Sequence, residues 1–94
     1  MEIMCKMNLE KFKNELVEYE HWIKKEANLE TEFIKKGREL RELGILYTHE
    51  TLPEELKEIQ EKIFQAKRIR EVKGIVIADL ALDLKEEGCE MKKL

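Results

Sequence analysis

Two stripes of apolar residues constrain this chain more than any other feature in it. The first runs Leu9, Phe12, Leu16, Tyr19, Ile23, Glu26, Glu30, Phe33, Gly37 and Leu40. The second runs Leu52, Leu56, Ile59, Ile63, Ala66, Arg70, Lys73, Ile77, Leu80 and Leu84. Steps alternating between three and four keep every member on one side of an α-helix, in the heptad rhythm of a coiled coil. Between the stripes, Gly44 fits the left-handed residue that ends a helix. Thr51-Leu52-Pro53-Glu54 restarts the chain, with Thr51 as cap, Glu54 completing a capping box and Pro53 in the first turn, where no amide is missed. Asn8 is the expected cap of the first helix, and Gly88 the expected stop of the second.

The expectation is an all-α antiparallel helical hairpin, coiled-coil-like, in one domain over 1–94. Helix one covers about 8–43, the connector 44–51 and helix two about 52–87, with each helix roughly 50 Å long. Composition agrees. Charged residues make up 41% of the chain and hydrophobic ones 43%, with one proline and four glycines, a balance that favours long solvated helices over a sheet. Lys73-Gly74-Ile75-Val76-Ile77-Ala78-Asp79 would also pass for a buried parallel strand. A parallel strand needs crossover partners, and the chain holds no second such segment.

Folding the hairpin with Gly44 beside Leu52 sets the facing pairs. Leu40 meets Leu56, Phe33 meets Ile63, Tyr19 meets Ile77, Leu16 meets Leu80 and Phe12 meets Leu84. The same alignment sets Glu26 against Arg70 and Lys73 against Ile23, so the acids Glu26 and Glu30 mirror the bases Arg70 and Lys73. Slipping one heptad one way brings Gly44 against Ile45 and leaves no turn. Slipping the other way puts Arg70 against Phe33 and Glu26 against Ile77. One register satisfies both the caps and the charges. The four charges therefore read as a register ion pair that penalises slipped pairings. The competing reading is a polar pocket for a ligand or metal, against which the neighbouring Arg70 and Lys73 argue.

The second helix has more apolar surface than a hairpin uses. Val72, Ile75, Val76 and Leu82 lie off its seam, and Trp22 and Leu29 flank the seam of the first helix. Leaving four such side chains wet forgoes on the order of 1.5–3 kcal/mol each. A second copy is the economical cover: two hairpins pack as a four-helix bundle with twofold symmetry. Trp22, Leu29, Ile69, Val72, Ile75, Val76 and Leu82 are the expected self-association residues. The other covers weighed are the N-terminal Met1–Met7 segment, which is too short, and a different protein.

Chemistry motifs are weak. Glu18-x-x-His21 has the spacing of di-iron bundles, but it occurs once and faces away from the seam. Glu58-x-x-Glu61 and Asp79-x-x-x-Asp83 are helical carboxylate pairs of the kind all-α nucleotide pyrophosphohydrolases use for magnesium, an analogy at the level of fold. They do not converge within one chain. No nucleophile triad or phosphate loop is present, and no cofactor or metal is called for. Lys62, Lys67, Arg68, Arg70 and Lys73 spread around their helix rather than forming a nucleic-acid-binding stripe, and the net charge of -3 gives no pull toward nucleic acid or an anionic membrane. No apolar stretch is long enough to span a bilayer and the N-terminus has no signal-peptide core. A cytoplasmic protein is the expectation, with Cys5 and Cys89 as reduced thiols. The function read from these features is a non-enzymatic protein–protein interaction or regulatory module that self-associates, with Tyr47 and His49 at the hairpin tip as partner contacts. The alternatives are a metal-dependent helical hydrolase assembled across a dimer and, less favoured, a nucleic-acid-associated regulator.

Overall fold

The computed structural model describes residues 2–89, which form two helices, α1 (Glu2–Glu42) and α2 (Glu54–Glu86), packed as an antiparallel hairpin. The segment Lys73–Asp79 is helical throughout, so the strand alternative falls. Of its β-branched residues, Ile77 lies on the helix seam and is half-buried, while Ile75 and Val76 are exposed, and the helical context overrides their strand propensity.

Helix α1 starts at Glu2, six residues before the expected cap. Asn8 does not cap. Its amide nitrogen donates instead to both carboxylate oxygens of Glu87, at 2.9 and 3.2 Å. Residues 2–7 thus continue the helix rather than folding back as a packing element, and Met1 lies outside the described residues. The 41 residues of α1 amount to about 60 Å of helix, which matches the 64 Å long axis of the molecule.

Both helices end as the glycines anticipated. Gly44 has φ 82° and Gly88 φ 73°. At Gly44 the amide donates to the Arg41 carbonyl at 2.9 Å, and the Ile45 amide to the Leu40 carbonyl at 2.9 Å. At Gly88 the amide reaches Lys85 at 3.1 Å, and the Cys89 amide reaches Leu84 at 2.9 Å. These paired bonds form a Schellman motif at each end, and a side chain in the same position would be strained. The start of α2 differs from expectation. Pro53 occupies the cap position without a side-chain cap bond. Thr51 Oγ1 accepts from the Thr48 amide at 3.0 Å and pairs with the Thr48 hydroxyl at 2.9 Å, so it builds the connector turn. Glu54 and Glu55 in the first turn complement the positive end of the helix.

The core is thin and divided. Near the turn, Leu40, Leu52 and Leu56 are buried together, with Phe33 and Tyr47 packed against them. Ala66 is buried at mid-length, and Phe12 and Leu84 are buried toward the open end. Glu26 meets Arg70 between them. Tyr47 folds back so that its hydroxyl lies over Gly37, where a Cβ would collide with it.

The α1 seam rotates along its length. Ile23 and Glu30 are exposed, whereas their predecessors Trp22 and Leu29 are half-buried. The molecule measures 64 × 21 × 14 Å, with a radius of gyration of 19.5 Å. A compact chain of this length has about 12 Å. A 14 Å thickness is little more than one helix diameter, so the described residues form a single layer.

The open end is closed covalently. Cys5 and Cys89 form a disulfide with Cα atoms 5.7 Å apart, across 84 residues of sequence. This corrects the expectation of two reduced thiols. That expectation rested on compartment chemistry, whereas the hairpin brings the two ends of the chain to one place.

Candidate functional site

A single-layer hairpin leaves two broad faces open. One is defined by Trp22 and Leu29 on α1 and Ile69 on α2, which with Lys25, Lys62, Gln65 and Ala66 line a groove of about 350 Å³. All three apolar side chains are half-buried within the chain. Lys25 Nζ sits 4.7 Å from the centre of the Trp22 ring, a cation–π contact that keeps the ammonium over the indole face. The His21 ring meets the same indole in a T-shaped arrangement, with ring centres 5.6 Å apart.

Beyond this groove the apolar surface is open. Val72 is 54% exposed, Ile75 65%, Val76 37% and Leu82 54%. Ile69, Val72 and Val76 follow helical spacing along one side of α2, and Ile75 and Leu82 continue it one strip outward. The seven expected association residues therefore divide in two. Trp22, Leu29 and Ile69 are partly used inside the hairpin, and Val72, Ile75, Val76 and Leu82 are free of it. The opposite face has its own exposed Ile23 and Ile34.

The charged layer is narrower than its four sequence candidates. Arg70 Nε donates to Glu26 Oε2 at 2.6 Å, with both side chains partly buried. The Glu26 carboxylate first, and the Tyr19 side chain second, hold the Arg70 guanidinium above its ordinary value. Glu30 is exposed and lies along a shallow groove with Ile23, Glu26, Ala27 and Arg70. Lys73 turns away from Glu26 and Glu30. It pairs with Glu18 and, at 3.1 Å, with Glu15 Oε2. That oxygen is buried and has no hydrogen-bond partner, so the ammonium offsets its charge without hydrogen-bond geometry. Glu18 first, then Glu15, raise the Lys73 ammonium above its ordinary value. Near the turn Lys36 spans to Glu55 at 3.1 Å and is likewise raised, chiefly by that carboxylate.

The other candidates do not gather. Glu18 belongs to the Lys73 pair and His21 to the Trp22 contact, so the Glu-x-x-His spacing carries no site. Glu58, Glu61, Asp79 and Asp83 are all exposed, and about 30 Å of helix separates Glu58 from Asp79. Arg70 and Lys73 are committed to carboxylates of α1. No helix of the described residues is long and apolar enough to cross a membrane.

At the tip, Tyr47 and His49 part company. Tyr47 is half-buried against the turn-proximal core, so its ring is turned inward rather than offered to a partner, and His49 is exposed. The tip instead presents Leu43, 76% exposed, and Leu46, 90% exposed. Leu46 is not among the residues expected at the tip, although Leu43 and Leu46 bracket the Gly44 turn in the sequence.

No family model, curated protein or solved structure matches the chain.

Proposed function

We propose that the chain is a small non-enzymatic interaction or regulatory module that self-associates through its helices, completing a four-helix bundle as a dimer. One observation carries this reading: the molecule is one layer thick and exposes too much surface. Its accessible area is 7699 Å², against about 5,700 Å² for a compact protein of its mass. The surplus of roughly 2,000 Å² per chain exceeds the ~800 Å² per partner of a standard interface and suits an extended pairing of helices. Stable domains bury two layers against each other, and a second hairpin supplies the missing one. The face of Trp22, Leu29, Ile69, Val72, Ile75, Val76 and Leu82 is the proposed contact.

Sedimentation equilibrium tests this directly. The expected mass is that of two chains at micromolar concentration, and Val72→Glu together with Ile75→Glu shifts it to one chain while circular dichroism stays helical. A stable monomer of the unaltered chain at that concentration overturns the proposal. The cytoplasm is the proposed location, and there the Cys5–Cys89 bond would be held in its reduced form.

A further inference from the structure

The open end of the hairpin carries a cluster that association does not use. Cys5 lies near the start of α1, and Cys89 follows the Gly88 turn that ends α2. A carboxylate oxygen of Glu87 and the two Sγ atoms all lie within 4.8 Å of one another, and Glu87 Oε2 is 3.8 Å from Cys89 Sγ. Asn8, one turn along α1 from Cys5, holds that carboxylate through two hydrogen bonds of 2.9 and 3.2 Å. Two elements far apart in sequence thus bring two sulfurs, one oxygen and an orienting amide to one point.

We propose that the reduced form of this clasp binds a zinc ion, with Cys5 and Cys89 as thiolate ligands, Glu87 as carboxylate ligand and water in the fourth position. Zinc–thiolate bonds of ~2.3 Å in a tetrahedron set two sulfurs ~3.8 Å apart. The two cysteines, with Cα atoms 5.7 Å apart, reach that spacing by side-chain rotation. Soft thiolates select zinc over magnesium or calcium. A carboxylate has about four acceptor positions, so the two bonds from Asn8 leave room for a metal. A ligand held in this way from outside the coordination sphere is oriented before the ion arrives.

Disulfide and metal are mutually exclusive at this site. A dithiol reductant supplies two electrons and two protons, breaks the sulfur–sulfur bond and closes to a disulfide itself. Zinc then displaces the two thiol protons. In a reducing compartment, where thiols persist, the ion replaces the covalent bond and the ends of the rod stay joined.

Cobalt(II) titration of the full chain tests this. The disulfide is reduced with a phosphine, which takes oxygen from water to become the phosphine oxide as the two thiols form, and the reagent is removed without air. One cobalt per chain is expected, with thiolate-to-cobalt charge-transfer absorption and the visible bands of a tetrahedral ion, displaced by zinc. The oxidised chain binds none. Glu87→Gln and Asn8→Ala should each weaken binding by roughly 10-fold or more, and Cys5→Ser should abolish it while the helical circular dichroism persists. The proposal is overturned if the reduced chain binds no cobalt, if one ion is shared by two chains, or if Glu87→Gln leaves the affinity unchanged.

Discussion

Arg70 and Glu26 meet across the hairpin through a 2.6 Å hydrogen bond, about midway along the rod and between two separated patches of buried leucine and phenylalanine. The pair sits at a layer where neither side chain is fully wet. A slip of one heptad would strip both partners, so the contact ties electrostatics to alignment.

Breaking one partner should therefore cost more than removing both, because a lone charge left at a half-buried layer is worse than none. A double-mutant cycle of Glu26→Gln and Arg70→Met, read by urea unfolding, is expected to show this non-additivity. Strictly additive losses would mean that the two side chains act independently and that apolar packing alone aligns the helices.

Lys73 predicts an alkaline dependence. Its folded value is raised above 10.5 by Glu18 and Glu15, so the folded chain holds this proton more tightly than the unfolded chain does. The stabilisation is complete below 10.5 and is lost as pH rises through the raised value. Lys73→Met should flatten the fall in unfolding midpoint over that alkaline range. An identical alkaline slope in the variant would show that the pair contributes nothing.

Leu56 is fully enclosed by the turn-proximal cluster. Leu56→Ala should cost about 2–5 kcal/mol in chemical denaturation, at any protein concentration. Ile75→Ala, on the open face, should act differently: it weakens association, so the midpoint becomes less dependent on concentration and the loss grows as protein concentration rises. Equal, concentration-independent losses would contradict the division between the seam and the proposed association face.

Gly37 is held by Tyr47. Alanine in a helix gains about 0.5–1 kcal/mol over glycine, but a Cβ here meets the tyrosine hydroxyl, and overpacking costs about 1–3 kcal/mol. Gly37→Ala should destabilise the chain in its native background and stabilise it alongside Tyr47→Phe, as thermal unfolding of the four proteins would show. Destabilisation in both backgrounds would place the strain elsewhere.

The clasp has a predictable energetic weight. Closing a loop of this length restricts the unfolded chain by on the order of 4 kcal/mol. Oxidised protein should exceed the Cys5→Ser variant by about that amount in urea. A difference near zero would indicate that the unfolded ends remain close without the bond.

Much of this architecture was legible in the residues. The three-four spacing marked both helices, and Gly44 and Gly88 marked their ends because only a left-handed residue closes such a motif. The alignment of Glu26 with Arg70 followed from seam arithmetic. Side chains with more than one possible partner were not legible. Asn8 and Thr51 had the chemistry of caps, yet each found a tertiary or turn partner that no local rule encodes. Seam spacing places Lys73 in the charged layer with Arg70, but its long stem reaches Glu15 and Glu18 on the flank, where the rotated seam of α1 leaves them. Cys5 and Cys89 were legible in principle, since the same alignment puts the ends of the chain side by side. Tyr47 has the place of a surface residue in a connector, yet its ring folds inward over Gly37, where no Cβ stands in the way.

The Cys5–Cys89 bond also changes the topology of the chain. With the ends joined opposite the Gly44 turn, the backbone from Cys5 to Cys89 is a closed ring. A hairpin with an open end can straighten its connector and trade one helix with a neighbour, the exchange known as domain swapping. A ring cannot make that exchange, because its two helices cannot part at the open end. In the oxidised state every assembly of this protein must therefore be built from intact hairpins.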